Sequence, residues 1–232
     1  MSSRSTRALR RSRPGTLLLA LATSLAVLAG AQPGEWDFRL IGQRAESLYG
    51  PLGEQHSRID AWQGLLEDAR GLPEREQLQA VNRFFNAQLR FTDDIGLWRE
   101  VDYWATPVEA LLKGAGDCED FAIAKYISLR HLGVPAQKLR ITYVKALRLN
   151  QAHMVLTYYP RPDAVPLVLD NLIGSLLPAS QRTDLQPVYA FNGEGLWLAN
   201  ASGGKQVGDS KRLSRWQDLL KKMKAEGFPL NE

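Results

Sequence analysis

The stretch GAGDCEDFA, residues 114–122, sets the only cysteine of the chain, Cys118, among three acids: Asp117, Glu119 and Asp120. A cysteine does nucleophilic chemistry as its thiolate, and carboxylates beside it oppose that ionisation. An inert, packed cysteine tolerates such neighbours. A working one requires something positive close by: a helix N-terminus, an imidazolium or a metal ion.

The imidazolium has few sources, because the chain holds three histidines. His131 follows Cys118 by thirteen residues on the same expected helix. At ~1.5 Å of rise per residue it sits ~20 Å away, too far to take the thiol proton. His56 adjoins the first long helix with no pattern around it. His153 opens an expected strand. If the following turn centres on Pro160–Asp163, hairpin register sets His153 opposite Asp170, and opposed side chains stand with Cβ atoms ~4.5–5.5 Å apart. Cys118, His153 and Asp170 then form a nucleophile, a base and a group that fixes the imidazole tautomer.

The elements that must position these residues are legible in outline. Ile59, Trp62, Leu65 and Leu66 share one face of a helix over Ser57–Arg70. A second helix is expected over Arg75–Leu89. Thr106 caps a short helix that begins with Pro107 and closes at Gly114. The next begins at Asp117 or Cys118 and stops at Gly133-Val134-Pro135. From there the pattern alternates: LRITYVKALR, HMVLTYY and PLVLDNL read as consecutive antiparallel strands, PVYAFN and GLWLA as one or two more, and Leu213–Glu226 as a surface helix. Helices first and strands later give an α+β fold.

The N-terminus carries five arginines and no acid before the apolar run Thr16–Ala29, followed by Ala29-Gly30-Ala31. This is the pattern of a secretory signal peptide, residues 1–31. The run is shorter than the ~18 apolar residues a membrane anchor needs. The domain is then 32–232. Of 29 Lys and Arg, five fall in residues 1–31, leaving 24 against 25 acids, a net charge of about −1. The positive charge of the whole chain belongs to its leader, so no nucleic-acid partner is expected.

For the acids around the thiol, two readings stand. Asp117 can cap the helix, with Glu119 and Asp120 complementing its dipole. Alternatively, clustered oxygens suit a hard cation such as Ca²⁺, which would cancel the repulsion. In that case Asp117 and Glu119 are the first choices. Asp120 follows, since consecutive helix positions diverge by ~100°, and backbone carbonyls near Asp102–Trp104 help to complete the shell. No zinc-type Cys/His cluster exists. Tyr103 and Trp104 are candidates for a substrate cleft, with core packing as the competing reading.

From Gly114 to Leu172 the sequence closely resembles the bacterial transglutaminase-like cysteine proteinases. VDYWATPVEALLKG upstream and PVYAFNGEGLWL downstream fit as well, so the resemblance spans about Trp36 to Trp197. It implies a papain-like or transglutaminase-like fold with Cys118, His153 and Asp170 at the triad positions and the acids flanking the cysteine as calcium ligands. It further implies a periplasmic endopeptidase that cuts a large surface adhesin near its N-terminus at a paired-alanine site, dispersing biofilm. An inner-membrane cyclic-di-GMP receptor that sequesters the enzyme through its periplasmic domain is implied too, with exposed apolar surface including Trp104 as its contact. Thiol chemistry alone leaves two alternatives: a transglutaminase or amidase on the same triad, and a calcium-dependent binding module.

Overall fold

A computed structural model of the chain describes residues 35–198, 205–210 and 213–229. The expected signal peptide, residues 1–31, lies outside the described residues. Among the described residues no helix is long and apolar enough to cross a membrane.

The segment FAIAKYISL is apolar on every side, and a helix of that kind must be central. It lies in α6, Cys118–His131, where every residue from Glu119 to Leu129 is buried. Helices α2 (His56–Ala69), α3 (Glu74–Gln88) and α5 (Pro107–Lys113) gather with it on one side, and strands β3 (Leu139–Ala146) and β4 (Gln151–Tyr158) close the other. Trp62, Phe85, Leu111 and Ile123 fill the space between and are fully buried. Each such side chain contributes roughly 1.5–3 kcal/mol. Trp62 keeps its indole N–H satisfied by donating to Ser128 Oγ at 2.9 Å.

The sheet has seven strands in the order β6-β5-β4-β3-β7-β8-β9, every neighbouring pair antiparallel. They span Leu139–Ala146 (β3), Gln151–Tyr158 (β4), Leu167–Leu169 (β5), Leu177–Pro178 (β6), Leu185–Phe191 (β7), Leu196–Leu198 (β8) and Lys205–Gly208 (β9). The expected α+β class, the four helices read from periodicity and end signals, and the surface helix, α7 at Ser214–Ala225, are all present.

Two differences bear on function. The β4–β5 hairpin pairs Leu156 with Leu169 and Thr157 with Val168. The register is therefore two residues away from the one that opposes His153 and Asp170. The link from Tyr159 to Pro166 is longer than a turn on Pro160–Asp163 allows, and β5 ends before Asp170. A shift of two conserves the face of every side chain, so Asp170 still reaches His153, on a diagonal. Second, a short parallel pair joins β1 (Arg90–Phe91) to β2 (Ala115–Gly116), the segment just ahead of Cys118.

Helix α1, Phe38–Tyr49, was not expected from the sequence. Asp37 caps it by accepting from Leu40 N–H at 3.0 Å.

Candidate active site

Cys118 is the first residue of α6, with Asp117 at the N-cap. The sharp entry is built by α5. Thr106 and Glu109 cap its start reciprocally (3.0 and 2.8 Å), and Gly114 ends it in the left-handed region at φ 59°. His153 lies in β4 and Asp170 just past β5. His153 Nε2 meets Asp170 Oδ1 at 2.8 Å, and both side chains are buried. Because β5 covers β4 only at Leu156–Tyr158, the rest of that β4 edge is open toward α6. From this edge the Met154 backbone N–H reaches the Cys118 sulfur. Cys118, His153 and Met154 thereby line one cleft of about 810 Å³. With Nε2 engaged by Asp170, the Nδ1 of His153 is the nitrogen left for the thiol proton.

Asp170 is fixed at each acceptor. Oδ1 also accepts from Leu172 N–H at 3.1 Å, Oδ2 from Arg182 Nη2 at 2.7 Å, and its backbone carbonyl from Asn86 Nδ2 at 2.8 Å. Burial pushes its carboxyl up, but the His153 bond and charge, the Leu172 N–H and Arg182 outweigh that and hold it at about 2. Lys125, two turns into α6, is fully buried with no hydrogen-bond partner for Nζ. Burial lowers it to about 7, against the pull of the Asp170 charge.

Asp117 and Asp120 form a capping box at the start of α6, and the acids also act on the thiol. Cys118 Sγ donates to Glu119 Oε2 at 3.1 Å. Burial, then the charge and hydrogen bond of Glu119, then the charge of Asp117 push the thiol well above its ordinary range, while Met154 N–H pulls it down. Asp117 and Asp120 are raised by burial first and by Glu119 next. So the helix start alone does not favour a thiolate here.

A cation resolves this, and the donor set fits one. Oxygens of Asp94, Asp117 and Asp120 lie within 4.8 Å of one another, and so do ligand atoms of Asp117, Cys118 and Glu119. Asp117 belongs to both groups, so an ion held by Asp117 would also have Glu119 and Asp94 as candidate ligands. Asp117 Oδ1 and Asp94 Oδ1 are buried without a hydrogen-bond partner. Oxygen-only ligands of this kind suit Ca²⁺. Both Asp120 oxygens accept backbone N–H groups, from Ala105 at 2.8 Å and Asp117 at 3.2 Å. This makes Asp120 a brace as much as a ligand. The carbonyls of Asp102 and Trp104 accept from Arg215 Nε and Lys222 Nζ, leaving each a second lone pair.

Asp94 was missed in the sequence, as was Arg182. Asp94 arrives through the β1–β2 pairing, which draws residues 90–92 beside residues 114–116. The only signal was an acidic doublet, Asp93-Asp94, at the start of the four-residue helix α4 (Asp94–Leu97). Burial raises Asp94 to about 6 against the Tyr103 N–H it accepts, with the charges of Glu119, Asp102 and Asp93 adding to the rise.

Of the two aromatic candidates, Trp104 lines the cleft, but it is only 9% exposed and stacks on Phe191 at 5.4 Å. It therefore offers the cleft little surface of its own. Tyr103 does not line the cleft. It packs on Trp98 at 4.5 Å and turns its hydroxyl to Glu109, with Lys222 Nζ 3.9 Å from its ring centre. The other histidines stand apart: His56 pairs with Asp60 at the surface, and His131 stacks on Trp36 at 3.9 Å.

Comparison with known proteins agrees with this geometry. The family model for bacterial transglutaminase-like cysteine proteinases matches residues 69–188. A solved structure of Legionella pneumophila LapG is 46% identical, with a TM-score of 0.70 over 80% of this chain and 97% of that one. An EGTA-treated form of the same protein gives 47% and 0.71 over 80% and 97%, and a calcium-bound form 44% and 0.67 over 79% and 98%. No curated protein matches the chain. With its thiol at a helix start, its imidazole–carboxylate pair and these matches over most of its length, the chain belongs to the bacterial transglutaminase-like cysteine proteinases.

Proposed function

We propose that this cysteine proteinase is a calcium-dependent periplasmic endopeptidase that cleaves the N-terminal region of a large surface adhesin at a paired-alanine site, releasing it and dispersing biofilm. The observation that carries the reading is the placing of Cys118 between a buried His153–Asp170 pair and a cluster of buried carboxylate oxygens.

His153 takes the thiol proton at Nδ1, and the Cys118 sulfur attacks the scissile carbonyl. The imidazolium, held by Asp170, returns the proton to the leaving amine. Water then hydrolyses the acyl-enzyme with His153 as base. Asp117, Glu119, Asp94 and Asp120 would hold the calcium. When bound, that ion supplies positive charge that offsets the carboxylates beside the thiol. The calcium-bound and EGTA-treated forms described for LapG support the choice of ion. The N-terminal leader pattern supports export, residues 1–31 being the signal peptide and 32–232 the proteinase domain. An inner-membrane cyclic-di-GMP receptor with a periplasmic domain is the inhibitory partner this reading carries.

The test is incubation of an adhesin N-terminal fragment with the protein in Ca²⁺ or in EGTA, beside Cys118→Ala. Cleavage is expected only by wild type in Ca²⁺. Cleavage by Cys118→Ala would overturn the proteinase assignment, and cleavage in excess EGTA would overturn the calcium requirement.

A further inference from the structure

We propose that Arg182 is a positioning residue of the catalytic triad, a buried clamp that sets the rotation of the Asp170 carboxylate so that its other oxygen meets His153. The inference rests on the proteinase reading and adds a fourth group to its machinery.

A carboxylate has two oxygens and a soft terminal torsion. A single bond from His153 leaves the group free to swing about that axis. Here Oδ2 is held by Arg182 Nη2 at 2.7 Å, while Oδ1 serves His153 Nε2 at 2.8 Å and Leu172 N–H at 3.1 Å. The two oxygens are thus assigned different partners, and exchanging them would break all three bonds. The side chains of Asp170 and Arg182 are essentially excluded from solvent, so water cannot substitute for a lost donor.

Arg182 is itself braced. Nε and Nη2 grip the two oxygens of Asp184 at 2.9 Å each, a fork only a guanidinium provides. The backbone on either side is tied by Arg182 N–H to Ala179 O and by Leu185 N–H to Arg182 O, both at 3.0 Å. Arg182 thus carries the position of the segment after β6 into the triad. A residue kept only to neutralise a buried acid would not need that second, bidentate anchor. Lys125, the other buried cation near Asp170, makes no hydrogen bond, so it cannot orient the carboxylate.

The test uses the full folded chain with Ca²⁺ and the adhesin fragment, comparing wild type, Arg182→Met, Arg182→Lys and His153→Ala. Three quantities are read: kcat and KM separately, the melting temperature, and the proton NMR signal of the His153 ring N–H, assigned by its loss in His153→Ala. Arg182→Met is expected to lower kcat by ~10²-fold with KM nearly unchanged, the cost of a misplaced catalytic group. Its ring N–H signal should move or broaden. Arg182→Lys, able to keep one charged bond but not the fork, should recover part of kcat and part of the signal. A folded Arg182→Met with wild-type kcat and signal overturns the proposal. So does a loss of activity that merely follows a lower melting temperature while the signal stays put. If Arg182→Met does not fold, the lysine variant decides: a severalfold lower kcat with a shifted signal supports the clamp, and wild-type values reject it. If wild type cuts nothing, the adhesin reading fails while the ring signal still judges the clamp.

Discussion

At the scale of residues, the proposed mechanism rests on the one cysteine and on one of three histidines. Cys118→Ala should abolish cleavage while the fold and ion binding persist, because among the described residues the sulfur engages its own neighbourhood, Glu119 and Met154 N–H. His153→Ala should lose at least ~10³-fold in kcat, since thiol deprotonation and leaving-group protonation both depend on it. His131→Ala, on a ring that stacks against Trp36, should keep kcat. Peptide-cleavage kinetics with circular dichroism would check all three, and an active His153→Ala would refute the assignment. Cys118, His153 and Asp170 were legible because one cysteine and three histidines leave few combinations, and strand order supplies the partner. Asp94 and Arg182 were not. Their types are common at surfaces, and what selects them is burial beside other charges, which no local pattern records.

At the scale of elements, the start of α6 is crowded enough to be fragile. A Cβ on Gly116 in β2 would stand 2.7 Å from Asp120 Oδ2 and 2.8 Å from its Cβ. Gly116→Ala should therefore push Asp120 off the Ala105 and Asp117 N–H groups and weaken calcium binding by ~10–100-fold, as loss of a supporting contact does. Titration calorimetry showing wild-type affinity would reject this. The other end of α6 carries a pH effect. Burial, then the Arg70 charge, lower His131 from 6.5 to about 4, against the pull of Glu35. Between those values the unfolded chain binds more protons than the folded one, so stability is greatest above pH 6.5 and declines as pH falls toward 4. His131→Phe should flatten melting temperature against pH in that window; an unchanged slope would exclude His131 as its source. Helix periodicity located most of these elements, because each buries one stripe or, in α6, its whole circumference. Register was harder. The β4–β5 pairing depends on how the chain travels from Tyr159 to Pro166, which side-chain alternation does not encode. Helix α1 escaped although Asp37 and the spacing of Ile41 and Ala45 mark it, since polar residues interrupt the stripe.

At the scale of the molecule, the proposed ion would tie together segments far apart in the chain. Asp94 follows the β1 strand and Asp117 to Asp120 open the central helix, so binding there is linked to global unfolding. With Ca²⁺ near a hundredfold above its dissociation constant, the melting temperature should rise by about 5–10 °C, and by less in Asp117→Ala or Asp94→Ala. Scanning calorimetry in Ca²⁺ and in EGTA would measure it, and coincident curves would remove the ion from the site.

A seven-stranded sheet has two outer margins, and unprotected margins recruit neighbouring copies into aggregates. Here one margin is β6, two residues long and ending in Pro178, which has no N–H to offer. The other, among the described residues, is β9, with Lys205 at its start and a register break against β8 at Leu196/Trp197. Neither offers a long flat template for another chain. The protein should stay monodisperse when concentrated, and lengthening the β6 margin through Pro178→Val should make it associate, a change visible by light scattering well before activity falls.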